Sequence, residues 1–78
     1  MWWLSFRDGV VVIIHGSSLI HARMLAIQYG LGRARYFAEG HFINPEQAAL
    51  VPDDSIGRML LPTEARALRD LLKYGPAA

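Results

Sequence analysis

The chain has 78 residues, 53% of them hydrophobic, and its eight basic and seven acidic residues give a formal net charge of +1. This balance excludes a global electrostatic attraction to nucleic acid or to an anionic membrane, so any such binding must be local. The absence of cysteine excludes disulfides, thiolate catalysis and cysteine-ligated metal centres. A domain of this size buries only about 60–65% of its unfolded surface, so the apolar surplus predicts self-association or a protein partner.

One domain is expected over residues 1–76, with residues 77–78 frayed. The N-terminus reaches the charged residues Arg7 and Asp8 too early for a secretory signal. The longest apolar run is far shorter than the ~20 residues of a spanning helix. We therefore expect a cytoplasmic protein without a membrane partner.

An N-terminal β-hairpin is predicted because the residues up to Arg7 alternate and are followed by Asp8-Gly9, a strong two-residue turn. Such a turn predicts three cross-strand pairs on one face, namely Phe6 with Val11, Leu4 with Ile13, and Trp2 with His15. The other face then carries Trp3, Val12 and Ile14. Since residues 10–14 are all apolar, both faces of the second strand require cover.

A first helix is predicted to begin at Ser17 or Ser18, each a good N-cap, and to end at Gly30 as a left-handed C-cap. At 100° per residue its apolar side chains form two stripes. The broad stripe contains Leu19, Ala22, Leu25, Ala26 and Tyr29, and the second contains Ile20, Met24 and Ile27. Two stripes require two packing partners, the sheet and either the last helix or a second subunit.

A third strand is predicted over residues 33–43, bent or turned back at Glu39-Gly40. It could return parallel or antiparallel to the second strand. The stretch Asn44-Pro45-Glu46-Gln47 then contains the N-cap, first-turn proline and capping glutamine of a short helix, which Pro52 ends.

The C-terminal part contains an extended connector at residues 58–61 and an amphipathic helix from about Thr63 to Tyr74. The apolar side of this helix is predicted to contain Ala67, Leu68, Leu71, Leu72 and Tyr74. The fold class is therefore predicted to be α+β, in the order β-β-α-β-short α-α, with a small sheet built on the hairpin and helices mainly on one face.

The leftover apolar surface is the strongest functional signal. It comprises Trp3, Val12 and Ile14 on the second hairpin face and Ile20, Met24 and Ile27 on the second helix stripe. Surfaces of this kind mark interfaces, although the short helix and the connector could cover one patch within the chain. We expect a non-catalytic protein-interaction module, either a homo-oligomer or an adaptor for a protein partner.

An alternative function is weak binding of single-stranded nucleic acid. Basic and aromatic side chains interleave on the third predicted strand, at Arg33, Arg35, Tyr36 and Phe37. This is the composition of a platform that stacks bases and contacts phosphates. An ordinary half-buried strand with solvated arginines has the same composition.

A third candidate is an anion site at Gly16, Ser17 and Ser18, where a strand turns into a helix N-terminus with free backbone amides. The turn lacks the lysine of a phosphate-binding loop and the second glycine of a hydrolase elbow. Helix capping by the serines is the simpler explanation.

The titratable side chains follow no catalytic or metal-binding spacing. They include His15, His21 and His41, and the acidic residues Glu46, Asp53 and Asp54. We expect no catalytic site, no metal and no cofactor.

Overall fold

A computed structural model describes residues 1–75. The fraying expected for residues 77–78 lies outside this range. In chain order the elements are β1 (Trp2–Phe6), β2 (Val11–Ile14), α1 (Leu19–Gln28), β3 (Phe37–Phe42), α2 (Pro45–Ala48), β4 (Met59–Leu60) and α3 (Pro62–Tyr74). The α+β class is confirmed, and β4 lies within the stretch predicted to be a connector.

The strands form one antiparallel sheet in the order β3-β1-β2-β4. The hairpin strands β1 and β2 are therefore central, and β3 and β4 are the two edges. β3 returns antiparallel beside β1, which decides between the two orientations that the sequence left open.

The hairpin loop is one residue longer than predicted. The backbone N–H of Phe6 donates to the carbonyl of Val10 at 2.9 Å, which leaves Arg7 to Gly9 as the loop. Gly9 has φ 89°, as expected for the left-handed residue that ends a three-residue hairpin loop. Trp2 therefore pairs with Ile14 rather than with His15. A shift of one residue reverses every side chain, so the predicted hairpin faces are wrong.

Each face of the sheet has its own apolar cluster. The cluster beneath α1 contains Leu4, Phe6, Val12, Ile14, Ala22 and Ala26. The opposite cluster contains Val11, Ile13, Ile43, Val51, Leu60, Ala65 and Leu68, with Ala48 of α2 packed against it. Two helices, α2 and α3, thus lie on one face, and α1 covers the other.

The helix ends follow the local signals in the sequence. Ser18 is the N-cap of α1, and Gly30 follows the helix with φ 73°. α2 begins with a complete capping box between Asn44 and Gln47. These ends were predicted from the sequence because each depends on residues only a few positions apart.

The last helix differs from the prediction in its buried face. α3 begins at Pro62 and buries Ala65 and Leu68, whereas Ala67 and Tyr74 are exposed. The helix rests on the sheet along the side of Ala65, which rotates the predicted apolar side partly out of the interface.

The third strand is shorter than predicted. Residues Ala34–Tyr36 form a single 3-10 turn, and the strand begins only at Phe37. Tyr36 and Phe37 both pack against the cluster beneath α1. Neighbouring residues of an extended strand point to opposite faces, so this shared packing requires a turn before Phe37.

Candidate functional site

The outward side of α1 carries the largest run of exposed apolar side chains on one helix. Ile20 is 79% exposed and Met24 is 56% exposed. Ile27 is half-buried. These residues follow the i, i+4, i+7 spacing of one helix side and are called the α1 stripe below.

The opposite side of α1 explains why large residues face outward. Ala22 and Ala26 have no exposed surface and lie on the sheet above Leu4 and Val12. Small side chains allow the helix backbone to come close to the strands, so the packing requires no isoleucine or methionine there. In α1 the alanines form the buried face and the bulky residues of the stripe face solvent, so the stripe has no packing role within the domain.

The hairpin half of the predicted interaction surface is not on the surface. Val12 is fully buried and Ile14 is nearly so, both beneath α1. Trp3 lies on the opposite face of the sheet, half-buried against the cluster beneath α3. The longer hairpin loop is the physical reason, since it exchanges the two faces of β1 relative to β2.

Arg23 shows which way the α1 stripe points. Its guanidinium carbon lies 4.8 Å from the centroid of the Phe37 ring at the start of β3. Arg23 is next to Ile27 and Ile20 on the helical wheel, so this side of α1 faces the β3 edge of the sheet. The side of the α1 stripe with Ile20 and Ile27 therefore lies towards that edge, and Met24 points away from the sheet.

The β3 edge is open along its length. No strand within residues 1–75 pairs with its outer side. The residues from Ala38 to Phe42 are exposed except for Gly40, and Phe42 is 60% exposed while its ring packs edge-on against Trp2 at 5.4 Å.

Gly40 sits where α1 crosses this strand. A Cβ added at Gly40 would lie 2.2 Å from Cδ1 of Leu19 and 3.2 Å from Cδ2 of Leu4. The missing side chain lets the N-terminal end of α1 rest directly on β3. Glycine in the strand thus marks a close approach of the helix, and the irregularity of β3 is a bulge between Phe37 and Glu39, just before the bend predicted at Glu39-Gly40.

The anion-site candidate at Gly16, Ser17 and Ser18 is occupied by contacts within the chain. The backbone N–H of Ser17 donates to Nδ1 of His21 at 3.0 Å, and the backbone N–H of His21 donates to the Ser18 hydroxyl at 3.1 Å. A Cβ at Gly16 would lie 2.9 Å from the backbone nitrogen of Ala22. Capping and close packing account for all three residues.

The nucleic-acid candidate residues do not form one platform. Arg33 and Arg35 are exposed but lie outside β3, and the Arg35 guanidinium stacks on its own neighbour Tyr36 at 4.9 Å. The Phe37 ring is held between Phe6, at 5.8 Å, and Arg23. Its aromatic faces are therefore used within the domain.

The other face of the sheet contains a groove that the sequence analysis did not identify. It lies between α3 and β3, with a volume of about 540 Å³. Three basic residues of α3 line it, Arg66, Arg69 and Lys73, together with Glu39 and His41 of β3. Trp3 forms part of its floor, where the indole Nε1 donates to the Ser5 hydroxyl at 3.1 Å.

The ionisable groups form two pairs within residues 1–75. Nε2 of His41 lies 3.4 Å from Oε1 of Glu39, and the guanidinium of Arg58 lies 2.7 Å from the carboxylate of Glu64. The hydrogen bond from Arg58, followed by one from the Leu61 backbone N–H, lowers the pKa of Glu64 below its ordinary value. In this part of the chain no three side chains of the metal-ligating types come together.

No family model, curated protein or solved structure matches this chain. Within residues 1–75 no helix is both long and apolar enough to cross a membrane.

Of the exposed apolar surface, only the part on α1 could be predicted from the sequence. The α1 stripe follows from helical periodicity, whereas Phe42 and the open edge depend on where β3 lies in the sheet. One signal was available, since a glycine within a predicted strand indicates a bulge or close approach. The groove has no such signal, because its β3 and α3 walls are 20 or more residues apart in the chain.

Proposed function

We propose that this protein is a non-catalytic interaction domain that associates with a second copy of itself through the α1 stripe and the surface beside it. The observation that supports this most directly is the orientation of α1, which buries Ala22 and Ala26 and exposes Ile20 and Met24. Full burial of one such side chain contributes about 1.5–3 kcal/mol, so leaving two in water is costly unless a partner covers them.

The size of the α1 stripe limits what it can do alone. Stable interfaces bury about 800 Å² on each partner, which is more than three aliphatic side chains provide. The adjoining β3 edge with Phe42 supplies the additional surface. A self-associating domain therefore needs both elements.

The test is sedimentation equilibrium of the wild-type protein over a series of micromolar concentrations. Met24→Lys should shift the protein towards monomer without changing its circular dichroism spectrum, because the charge would be buried in the interface. Ala67→Lys introduces the same charge at an exposed position of α3, on the opposite face of the sheet, and should associate like the wild type. A wild-type protein that is monomeric throughout the series would rule out the proposal.

The groove supports a second candidate function, binding of single-stranded nucleic acid. Arg66, Arg69 and Lys73 lie along one side of α3 and span about 10 Å, and none of them is among the ion pairs of residues 1–75. A row of cations beside the aromatic ring of Trp3 is the combination that contacts phosphates and stacks bases.

Fluorescence anisotropy of a labelled single strand at about 50 mM salt tests this candidate and locates the site. Arg69→Glu should weaken binding if the groove is used, and Arg35→Glu should have little effect. The reverse result would favour the set Arg33, Arg35, Tyr36 and Phe37. No binding by the wild type would remove both versions.

A further inference from the structure

We infer that the second copy docks edge to edge on β3, antiparallel, with the two-fold axis at Gly40, so that two sheets join into one. This inference rests on the proposed self-association and specifies its geometry. Four properties of β3 lead to it: the direction of its free backbone groups, its charges, its exposed aromatic ring and its position beside the α1 stripe.

The backbone groups that can bind a partner follow from the pairing with β1. The N–H of Ile43 donates to the carbonyl of Met1 at 2.9 Å, and the register continues as Trp3 with His41 and Ser5 with Glu39. In an antiparallel pair hydrogen-bonded positions alternate, so these odd-numbered residues bond to β1. The N–H and C=O groups of Gly40 and Phe42 therefore point outward, whereas a bulge between Phe37 and Glu39, opposite Phe6, interrupts the alternation at Ala38.

A symmetric pair of β3 strands must match outward groups with outward groups, which leaves three central registers. The axis can lie at Glu39, at Gly40 or at His41. An axis at His41 pairs Gly40 with Phe42 in both directions. An axis at Gly40 pairs Gly40 with itself through two hydrogen bonds and places each Phe42 opposite the bulge at Ala38 of the second copy.

The charges on β3 favour the register with the axis at Gly40. An axis at Glu39 would place the two Glu39 carboxylates directly opposite each other, which is destabilising. An axis at Gly40 places each Glu39 opposite His41 of the second copy, where an imidazole N–H donates to a carboxylate. The 3.4 Å contact between Glu39 and His41 within one strand shows that the two side chains already lie on the same face of the sheet.

The apolar groups on the other face are covered in this arrangement. Phe42 lies on the same face of β3 as Gly40 and would rest against the β3 backbone of the second copy, which covers an aromatic ring that is 60% exposed in the single chain. Both α1 helices would lie on the same face of the joined sheet. Since the Arg23 side of α1 faces β3, the two α1 stripes would flank the two-fold axis.

Disulfide trapping tests the register, because the wild-type chain contains no cysteine. Glu39→Cys and His41→Cys are oxidised separately and as a mixture. Directly opposed residues that do not share hydrogen bonds have Cα atoms about 4.5 Å apart, within disulfide range, whereas diagonal neighbours are about 7–8 Å apart and outside it. We expect a cross-linked dimer from the mixture and much less from either variant alone, and Arg7→Cys as the distant control should cross-link with neither.

Each of the other possible results contradicts the register, the contact at β3 or the self-association. A cross-link from Glu39→Cys alone places the axis at Glu39, and one from His41→Cys alone places it at His41. No cross-link in a protein that sediments as a dimer means that the copies associate without β3. A monomeric wild type refutes the self-association itself.

Hydrogen exchange of the unmodified protein provides a readout that does not depend on variants. The amides of Gly40 and Phe42 should become at least tenfold more protected as the protein concentration rises through the association range. The amides of Glu39 and His41 bond to β1 and should change less. Equal, concentration-independent exchange at all four positions would contradict the pairing.

Discussion

The two edges of the sheet differ in how far they are closed. β4 has two residues, Pro62 follows it within two positions, and the loop before it is tied to β2 by a bond from the N–H of Gly57 to the carbonyl of Ile13. β3 has six residues and no proline, and its outer side is unpaired within the described chain. Native proteins generally shorten or block exposed edges, and β3 is protected only by its bulge and by the charge of Glu39, so the proposed contact between copies is placed there.

The two edges also differ in the property that a substitution should change, which is either the stability of the single chain or its association with a second copy. At β4 the side chain of Leu60 is almost completely buried, although Met59 beside it is 51% exposed, and at β3 Phe42 is 60% exposed. We therefore expect changes at Leu60 to affect the folding of the single chain and changes at β3 to affect its pairing.

The largest effect is expected at the closed edge. Leu60→Ala should lower the free energy of unfolding by about 2–5 kcal/mol, because it leaves a cavity between β2, β4 and α3. Phe42→Ala should cost the dilute monomer much less and weaken dimerisation instead. Urea denaturation at low protein concentration measures the first effect, and sedimentation measures the second. Equal losses of stability in both variants would show that the two edges do not differ in this way.

The second largest effect is expected when an outward backbone N–H of β3 is removed. Phe42→Pro removes an outward N–H and no hydrogen bond to β1, so its Kd for dimerisation should be at least tenfold higher than that of Phe42→Thr, or about 1.4 kcal/mol. Phe42→Thr lacks the same ring but retains the N–H and favours strand conformation, so the comparison isolates the backbone hydrogen bond. A proline variant that associates as tightly as the threonine variant would show that β3 is not the contact.

The third effect concerns charge. Glu39→Lys should weaken dimerisation by roughly two- to thirtyfold, since each dimer loses two cross-strand pairs worth about 0.2–1 kcal/mol. Adding His41→Glu to the same chain restores opposite charges at both pairs and should recover most of the affinity. A double variant as weak as the single one would argue against this register.

The smallest effect belongs to the ion pair between Arg58 and Glu64, which flank β4. The lowered pKa of Glu64 means that its contact with Arg58 stabilises the fold above the ordinary value of 4.5 and that this contribution is lost as pH falls through the folded-state pKa. Glu64→Gln should therefore lower the Tm slightly at pH 7, and the difference should disappear towards pH 3. Thermal unfolding at the two pH values measures it, and a constant difference would assign the effect to lost packing.

The two candidate functions share residues. Glu39 and His41 line the groove and also lie at the proposed contact between copies. Edge-to-edge pairing would join two grooves across the axis, with a basic α3 on each outer side. A dimer whose assembly raises its affinity for single strands would connect the two functions.

The sequence by itself determined the features that depend on neighbours along the chain. Ser18, Gly30 and the capping box of Asn44 mark helix ends through bonds spanning three or four residues, and the apolar run at residues 10–14 indicated a central strand. The α1 stripe also follows from periodicity alone. These predictions hold because the physical causes are local.

Only the tertiary structure decided which surfaces are free. The turn at Asp8-Gly9 can close a loop of two or three residues. Packing selected the three-residue loop, which places Val12 and Ile14 opposite Leu4 and Trp2 and on the other face from the one expected. The position of β3 at an edge results from its antiparallel return beside β1, a contact between residues far apart in the chain. Long-range pairing therefore decided that Glu39, Gly40 and Phe42 form an open edge, which no local pattern specifies.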